Sequence, residues 1–171
     1  MDSSNDPRPN DSGPLAATET DAELIKSRSG MGAALPRPRL RSEQLESREQ
    51  VALAARAALD RKAEDLRLLE VAKCCDFTDH FLICSGTNER QVQAIADAIQ
   101  EALFRAGIKP LHVEGMTNAR WVLLDFGGDF VAHIFVESAR RFYDLERLWS
   151  DAPDITERVL AMTPATATTT T

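Results

Sequence analysis

The sequence predicts an α+β domain in which helices cover a mixed sheet of about five strands. Segments with helical periodicity alternate with short, apolar, strand-like runs. Two of these runs are separated only by Gly127-Gly128-Asp129, which suits the tight turn of an antiparallel hairpin. Because helices interleave with the strands and the hairpin is antiparallel, we expect the sheet to be mixed.

The 171 residues allow one domain with a tail at each end. Residues 1–43 contain five prolines, are rich in Ser, Asp, Asn and Thr, and lack apolar periodicity, so a disordered tail is expected. Residues 44–152 carry the periodic segments and form the predicted domain. Residues 153–171 are predicted to be a second, largely disordered tail that ends in Thr and Ala.

The first predicted helix covers Ser47–Leu59. Ser47 and Gln50 match a capping box, in which each side chain satisfies a free backbone N–H of the other residue. The apolar run at 66–71 then predicts a first strand, and the run at 81–84 predicts a second.

The clearest predicted element is a helix over Glu89–Ala106. Asn88 can cap its start, and Gly107 suits the left-handed residue that often follows a helix. The apolar residues that recur with the spacing of one helical face are Val92, Ile95, Ala96, Ile99, Ala102 and Leu103.

Three further strands are expected in the second half of the chain. Leu111–Glu114 is a short third strand, and Ala119–Phe126 and Phe130–Glu137 form the hairpin. Both hairpin runs are apolar at alternate and at intervening positions, so we expect both faces of the hairpin to be covered.

A last helix is predicted over Ser138–Trp149. Arg140 and Asp144 lie four residues apart and are expected to pair on its outer side. The residues expected on its inner side are Phe142, Leu145 and Trp149.

The charge of the chain argues against direct recognition of nucleic acid. Its net charge is -7 and its pI is about 5.0, and residues 44–152 hold 18 acidic and 13 basic residues. Phosphate backbones repel such a surface. No apolar run is long enough to cross a bilayer, and no secretory signal is expected at the N-terminus. Three cysteines without a disulfide pattern favour a reducing, cytoplasmic location.

Catalytic and metal-binding patterns are weak. His80, His112 and His133 lack the spacing that places two ligands on one element, so no metal site is predicted. Cys74 and Cys75 are adjacent rather than separated by two residues, and we interpret them as small loop residues without a redox role. No catalytic residue or bound cofactor is predicted.

The segment Ser85-Gly86-Thr87-Asn88 is the strongest candidate for a catalytic feature. A strand that ends in Ser-Gly before a helix can hold a phosphate, and nucleotidyltransferases use such a turn. They also need two or three carboxylates for magnesium, whereas the nearby strand offers only Asp125. We therefore interpret the segment as a helix cap.

Five stretches of the chain, in order and spacing, match one known family. They are Phe77-Thr78-Asp79 with Phe81–Thr87, Arg90–Asp97, Val113-Glu114-Gly115 with Ala119–Gly127, Val131–Phe135, and Ser138–Trp149. Together they span about 45–150, and this region resembles the ribosome silencing factor (Iojap-like) family. The N-terminal tail falls outside the resemblance.

The resemblance implies a mixed sheet like that of nucleotidyltransferases, without their metal site. It also implies a non-enzymatic protein that binds the large ribosomal subunit through its fourteenth protein. Occupying that surface would block joining of the small subunit and lower translation when nutrients are scarce. An acidic domain suits this role, because ribosomal proteins are generally basic. Relatives tend to dimerise, so a homodimer is a further expectation.

Five residues are candidate partner contacts. Trp121 begins a strand and Tyr143 lies off the buried stripe of the last helix, and exposed aromatic side chains often anchor interfaces. Glu114, Asp79 and Glu146 are the acidic candidates. For Trp121, a place at the edge of the core is the alternative.

Two other functions stay open from the sequence. One is a divergent enzyme with a nucleotidyltransferase fold, and the other is a dimeric interaction module that acts in large-subunit assembly.

Overall fold

The computed structural model describes residues 45–162. The predicted tail at 1–43 and the last nine residues of the predicted C-terminal tail therefore lie outside the described residues. The elements in chain order are α1 (Ser47–Asp60), β1 (Glu64–Glu70), β2 (His80–Gly86), α2 (Glu89–Arg105), β3 (His112–Glu114), β4 (Trp121–Asp125), β5 (Phe130–Val136), α3 (Glu137–Tyr143), α4 (Leu145–Leu148) and α5 (Thr156–Leu160).

The five strands form one mixed sheet in the order β1-β2-β5-β4-β3. β2 and β5 run parallel, and the other neighbouring strands run antiparallel. The β4–β5 hairpin turns at Gly127, whose φ of 75° lies in the left-handed region that glycine adopts readily. The predicted α+β fold with a mixed sheet of five strands is confirmed.

Helices cover the two faces of the sheet unequally. The first face, here the inner face, carries Leu82, Val122, Leu124 and Ile134, all fully buried on the side of the sheet that α2 packs against. We call the second face the outer face; its residues are Phe81, Ile83, Ser85, Trp121, Leu123, His133 and Phe135. The short helices α3 and α4 cover only part of the outer face.

The central helix α2 follows the sequence prediction closely. Asn88 is its N-cap, and the Asn88 side chain accepts a hydrogen bond from Gln91 N at 2.9 Å. Gly107 follows the helix with a φ of 79°. Both ends of α2 are therefore confirmed, because local backbone chemistry alone decides them.

The predicted capping box of α1 was placed one residue too late. The N-cap is Glu46, whose backbone N–H donates to Glu49 Oε2 at 3.0 Å. Ser47 is the first helical residue, and its hydroxyl donates instead to Asp129 Oδ1 at 2.5 Å. A tertiary contact thus uses the Ser47 hydroxyl that a local cap would have needed.

The last helix breaks at Asp144, which has a left-handed backbone with φ 45° and ψ 55°. Leu145 and Trp149 are buried as predicted. Phe142 was expected on the inner side, and that prediction was wrong, because the Phe142 side chain is 63% exposed. The predicted Arg140–Asp144 pair was also wrong, because Arg140 turns into the domain and pairs with Glu146.

The packed structure continues past residue 152, where the sequence placed the end of the domain. Ile155 N donates to Leu68 O, and Glu70 N donates to Pro153 O. This segment therefore pairs with the edge of β1 that does not pair with β2. Val159 in α5 is fully buried. Among residues 45–162, no helix combines the length and the apolar character that a membrane crossing requires.

Candidate functional site

The turn between β2 and α2 is held by packing and hydrogen bonds within the chain. Thr87 donates both its N–H, at 2.8 Å, and its hydroxyl, at 2.7 Å, to Gln91 Oε1. A Cβ added at Gly86 would lie 3.0 Å from Val92 N and 3.0 Å from Val92 Cγ2, so the helix rests directly on the glycine. The N–H groups of Thr87 and Gln91 thus bond to side chains of the helix cap.

The three histidines lie apart. His80 and His133 project from opposite faces of the sheet, as their registers with Phe130 and Leu123 require. The exposed His112 pairs with Asp125 across β3 and β4 at 3.2 Å. Within residues 45–162, no three His, Cys, Asp or Glu side chains are grouped so that they could hold a metal ion.

The outer face carries a cluster of aromatic rings at the start of β4. The Trp121 and Tyr143 ring centroids are 4.6 Å apart, and Phe135 stacks on Trp121 at 5.0 Å. Trp121 and Tyr143 are both partly buried, whereas Phe135 is fully buried. The structure therefore brings the two predicted aromatic contacts together, with one side packed and one side open to a partner.

This cluster is open because helices cover β4 on one side only. Val122 and Leu124 are fully buried on the inner face, whereas Trp121, Leu123 and Asp125 are partly exposed on the outer face. The prediction that both faces of the hairpin are covered holds for β5, which is buried throughout, but is wrong for β4. α3 lies over the end of β5 and β2 and leaves β4 open.

The buried His133 contacts the aromatic cluster through a hydrogen bond from Trp121. Trp121 Nε1 donates to His133 Nδ1 at 3.3 Å, which requires that this nitrogen carry no proton. Burial lowers the pKa of His133 from 6.5 to about 3, so the imidazole is neutral at physiological pH. The neutral ring can then hold the indole of Trp121 in one orientation.

Glu114 lies on the same side of the sheet as the aromatic cluster. It pairs in register with Leu123, which is two residues from Trp121 on the outer face. The exposed Glu114 and the partly exposed Asp125 therefore border the aromatic side chains with negative charge. This arrangement suits a partner that presents apolar and basic groups together.

Glu146 has a different environment from the other acidic candidates. Its Oε1 accepts from Arg140 Nε at 2.8 Å and from Arg140 Nη2 at 2.5 Å. The pair borders an open cavity of about 610 Å³ between β1 and the α3–α4 region. Glu146 is therefore engaged within the domain, and its role as a partner contact stays a prediction.

Asp79 lies at the other end of the sheet. Its neighbour His80 pairs with Phe130 at the start of β5, whereas Trp121 pairs with Phe135 near the end of that strand. The five residue steps from Phe130 to Phe135 correspond to about 16 Å of strand. The structure does not bring Asp79 near the aromatic cluster, and Ser47 Oγ lies 3.4 Å from its Oδ2.

Two residues of this surface were not identified from the sequence. Leu123 is partly exposed beside Trp121, and no alternation in the sequence could have indicated it, because β4 is apolar at every position from Trp121 to Leu124. Phe142 packs edge-on against Tyr143, with 5.2 Å between the ring centroids. Its exposure follows from the break at Asp144, which helical periodicity does not indicate. We refer to Trp121, Leu123, Phe142 and Tyr143 as the aromatic patch.

Comparison with known proteins gives a consistent result. A family model described as "Ribosomal silencing factor during starvation" matches residues 44–171. The protein named Ribosomal silencing factor RsfS from Bacillus subtilis is 45% identical over 101 residues, which cover 59% of this chain and 85% of that protein. Protein Iojap from the chloroplast of Zea mays is 35% identical and matches over 59% of this chain and 43% of its own length.

Solved structures show the same fold. A crystal structure of a protein from Chromobacterium violaceum superposes with a TM-score of 0.60 and 34% sequence identity, covering 62% of this chain and 88% of that one. A crystal structure of a protein from Bacillus halodurans has a TM-score of 0.54 and 42% identity, covering 59% of this chain and 93% of that one.

Proposed function

This chain belongs to the ribosomal silencing factor family, and from that membership we propose that it binds the large ribosomal subunit and sterically blocks joining of the small subunit. We propose the fourteenth protein of the large subunit as its contact. Bound in this way in the cytoplasm, the protein would repress translation when nutrients are limited, as the description of the family suggests.

The single observation that carries the proposal is the aromatic patch. The ring centroids of Trp121 and Tyr143 are 4.6 Å apart on a sheet face that the helices leave open, and Phe142 is 63% exposed beside them. Aromatic side chains of this kind provide large contact areas at a small cost in conformational entropy, and they dominate many interfaces. An interface needs about 800 Å² on each partner, which a domain of this size can supply.

Charge supports a basic protein as the partner. The chain has a net charge of -7, and Glu114 and Asp125 lie next to the patch. Opposite charge on the partner would speed encounter and orient docking, whereas the phosphates of ribosomal RNA would be repelled. We therefore propose contact with a ribosomal protein and no direct recognition of nucleic acid.

We propose that this chain acts without catalysis. Its family is described by a silencing activity, and the β2–α2 turn is filled by the helix cap. A thermal-shift measurement with ATP and Mg²⁺ tests the enzymatic alternative. A clear rise in the melting temperature would favour a nucleotidyltransferase-like enzyme.

A second copy of the chain is a further proposed partner. β1 and β3 are the two edge strands of the sheet, and the edge of β1 already pairs with residues 153–155. A dimer formed by strand addition would therefore use the three-residue strand β3. Sedimentation equilibrium, with and without large subunits, would show whether dimerisation competes with ribosome binding.

Subunit association provides the main test. Purified large and small subunits are mixed at increasing concentrations of the protein, and joined ribosomes are measured by light scattering and on sucrose gradients. We expect the protein to sediment with free large subunits and to reduce the fraction of joined ribosomes. Unchanged joining with saturating protein would refute the proposal.

The aromatic patch is tested in the same assay. The double variant Trp121→Ala with Tyr143→Ala should bind large subunits at least about tenfold more weakly while remaining folded. Phe104→Ala is the matched control, because Phe104 is 60% exposed on α2, on the other side of the sheet. Equal affinity of all three proteins would remove the patch from the interface.

A further inference from the structure

Arg140 makes hydrogen bonds inside the domain and is not part of the aromatic patch. Only 8% of its surface is exposed. Its Nη1 donates to Ser85 Oγ at 3.0 Å, and Ser85 is fully buried near the end of β2. Its Nε and Nη2 donate to Glu146 Oε1 in α4. One guanidinium therefore joins β2, α3 and α4.

The helix that carries Arg140 has little stability of its own. α3 spans seven residues, its N-cap makes no side-chain hydrogen bond, and it ends at Asp144 in a left-handed conformation. Helices of this length are not stable in isolation, so tertiary contacts decide how α3 lies on the sheet. The three hydrogen bonds of Arg140 are directional contacts of that kind.

Tyr143 depends on the same helix. Arg140 and Tyr143 are three residues apart in α3, so they lie near each other on adjacent turns. Arg140 reaches Ser85 on the outer face, and Tyr143 rests against Trp121 on that same face. A rotation of α3 that broke the Arg140–Ser85 bond would also move the Tyr143 ring away from Trp121.

We infer that Arg140 is a positioning residue for the aromatic patch: by joining Ser85 and Glu146 it holds α3 in the orientation that places Tyr143 against Trp121. This inference rests on the proposed function insofar as the patch contacts the large subunit. The contact between the two rings can be measured without any ribosome.

A role in orientation agrees with the energetics of an ion pair whose guanidinium is buried and whose carboxylate is partly exposed. Desolvation of a guanidinium and a carboxylate offsets most of their attraction, so an apolar replacement is often equally stable. The planar guanidinium donates to two acceptors in fixed directions, whereas the three N–H donors of a lysine rotate on a flexible stem. Direction, rather than net stability, is what the Arg140 contacts supply.

The test uses variants at buried positions. Ser85→Ala removes the acceptor for Arg140 Nη1, and Ser85 is fully buried, so it cannot touch a partner. Arg140→Met removes all three hydrogen bonds, and Arg140→Lys keeps the charge. Cys84→Ala is the control, because Cys84 is the buried neighbour of Ser85 and faces the inner side of the sheet.

The first readout is ¹⁹F NMR of full-length protein labelled with 5-fluorotryptophan, with the Trp121 signal assigned by Trp121→Phe. We expect Ser85→Ala and Arg140→Met to shift or broaden the Trp121 signal and Arg140→Lys to do so less. Cys84→Ala should leave that signal in place. An unchanged Trp121 signal in folded Arg140→Met and Ser85→Ala would overturn the inference.

The second readout is affinity for large subunits, measured by co-sedimentation. Ser85→Ala should bind about tenfold more weakly than Cys84→Ala at similar thermal stability. The residues of the aromatic patch are all present in Ser85→Ala, but Tyr143 is displaced from Trp121. Equal affinity of Ser85→Ala and Cys84→Ala would overturn the positioning role. If the wild-type protein does not bind large subunits, the proposed function fails, and the NMR result still decides whether Arg140 sets the ring contact.

Discussion

Replacing His133 with Asn should remove most of the acid sensitivity that this buried imidazole gives the fold. His133 is 1% exposed, and burial lowers its pKa from 6.5 to about 3. The imidazole therefore stays neutral in the folded protein as pH falls below 6.5, whereas it gains a proton in the unfolded chain. Proton uptake favours unfolding, so stability present above pH 6.5 is lost as pH falls toward 3.

The expected size of this loss follows from the pKa difference. In the window between the two pKa values, each pH unit changes the free energy of unfolding by about 1.4 kcal/mol per proton. From pH 6.5 to pH 4 the loss is therefore about 3 kcal/mol. This is a large fraction of the roughly 5–15 kcal/mol by which a typical domain is stable.

Asn is the appropriate replacement because it does not titrate, and its side-chain oxygen can accept from Trp121 Nε1 in place of Nδ1. Urea unfolding of wild type and His133→Asn is measured between pH 7.5 and pH 4. The smaller side chain costs stability at every pH, and carboxylates titrate in both proteins, so these effects cancel from the pH dependence of the difference. The wild-type advantage should shrink by about 3 kcal/mol across this range. A constant difference would refute the assignment of a neutral, buried His133.

Further substitutions at four positions test the fold by thermal or urea unfolding. Gly115→Ala should cost about 3 kcal/mol or more, because φ is 82° and a Cβ would lie 2.0 Å from Trp121 O. Gly107→Ala, also at positive φ but with open space around it, should cost only about 1 kcal/mol; equal losses would contradict the clash. Asn88→Ala should cost about 1 kcal/mol through the lost cap of α2, and Asn88→Ser should restore most of it. Val159→Ala should cost about 2 kcal/mol, whereas no loss would place α5 outside the core.

The candidate site was only partly predictable. Trp121 was identified because it begins a strand and Tyr143 because it lies off the buried stripe of the last helix, and in the structure their ring centroids are 4.6 Å apart. Leu123 and Phe142 were missed, because their exposure depends on where α3 ends and how far it extends over the sheet. No periodicity in the sequence encodes that extent.

The acidic candidates show the same limit. Glu114, Asp79 and Glu146 are all plain carboxylates in the sequence, yet the sheet register places Glu114 beside the aromatic patch and Asp79 at the opposite end. Glu146 reaches the buried Arg140. Strand order and register are set by contacts between distant segments, so linear spacing cannot assign these positions.

Several features follow from the sequence alone. The helix α2 begins at its Asn88 cap and ends before Gly107, and the hairpin turns at Gly127. The acidic charge and the order of the strand and helix segments also follow, and the five matching stretches indicated a resemblance to the family. In each case the cause is local, because a side chain, a positive φ angle or an apolar period acts within a few residues.

Only the tertiary structure decided which face of the sheet stays open. Ser47 bonds to Asp129 instead of capping its own helix, and Arg140 turns inward to Ser85 and Glu146. The last helix breaks at Asp144. In the first two cases a local interaction is replaced by a contact with a residue that is distant in sequence, Asp129 or Ser85. The break in the helix also brings Glu146 within reach of Arg140. Burial strengthens such contacts, and burial exists only once the sheet and its helices have assembled.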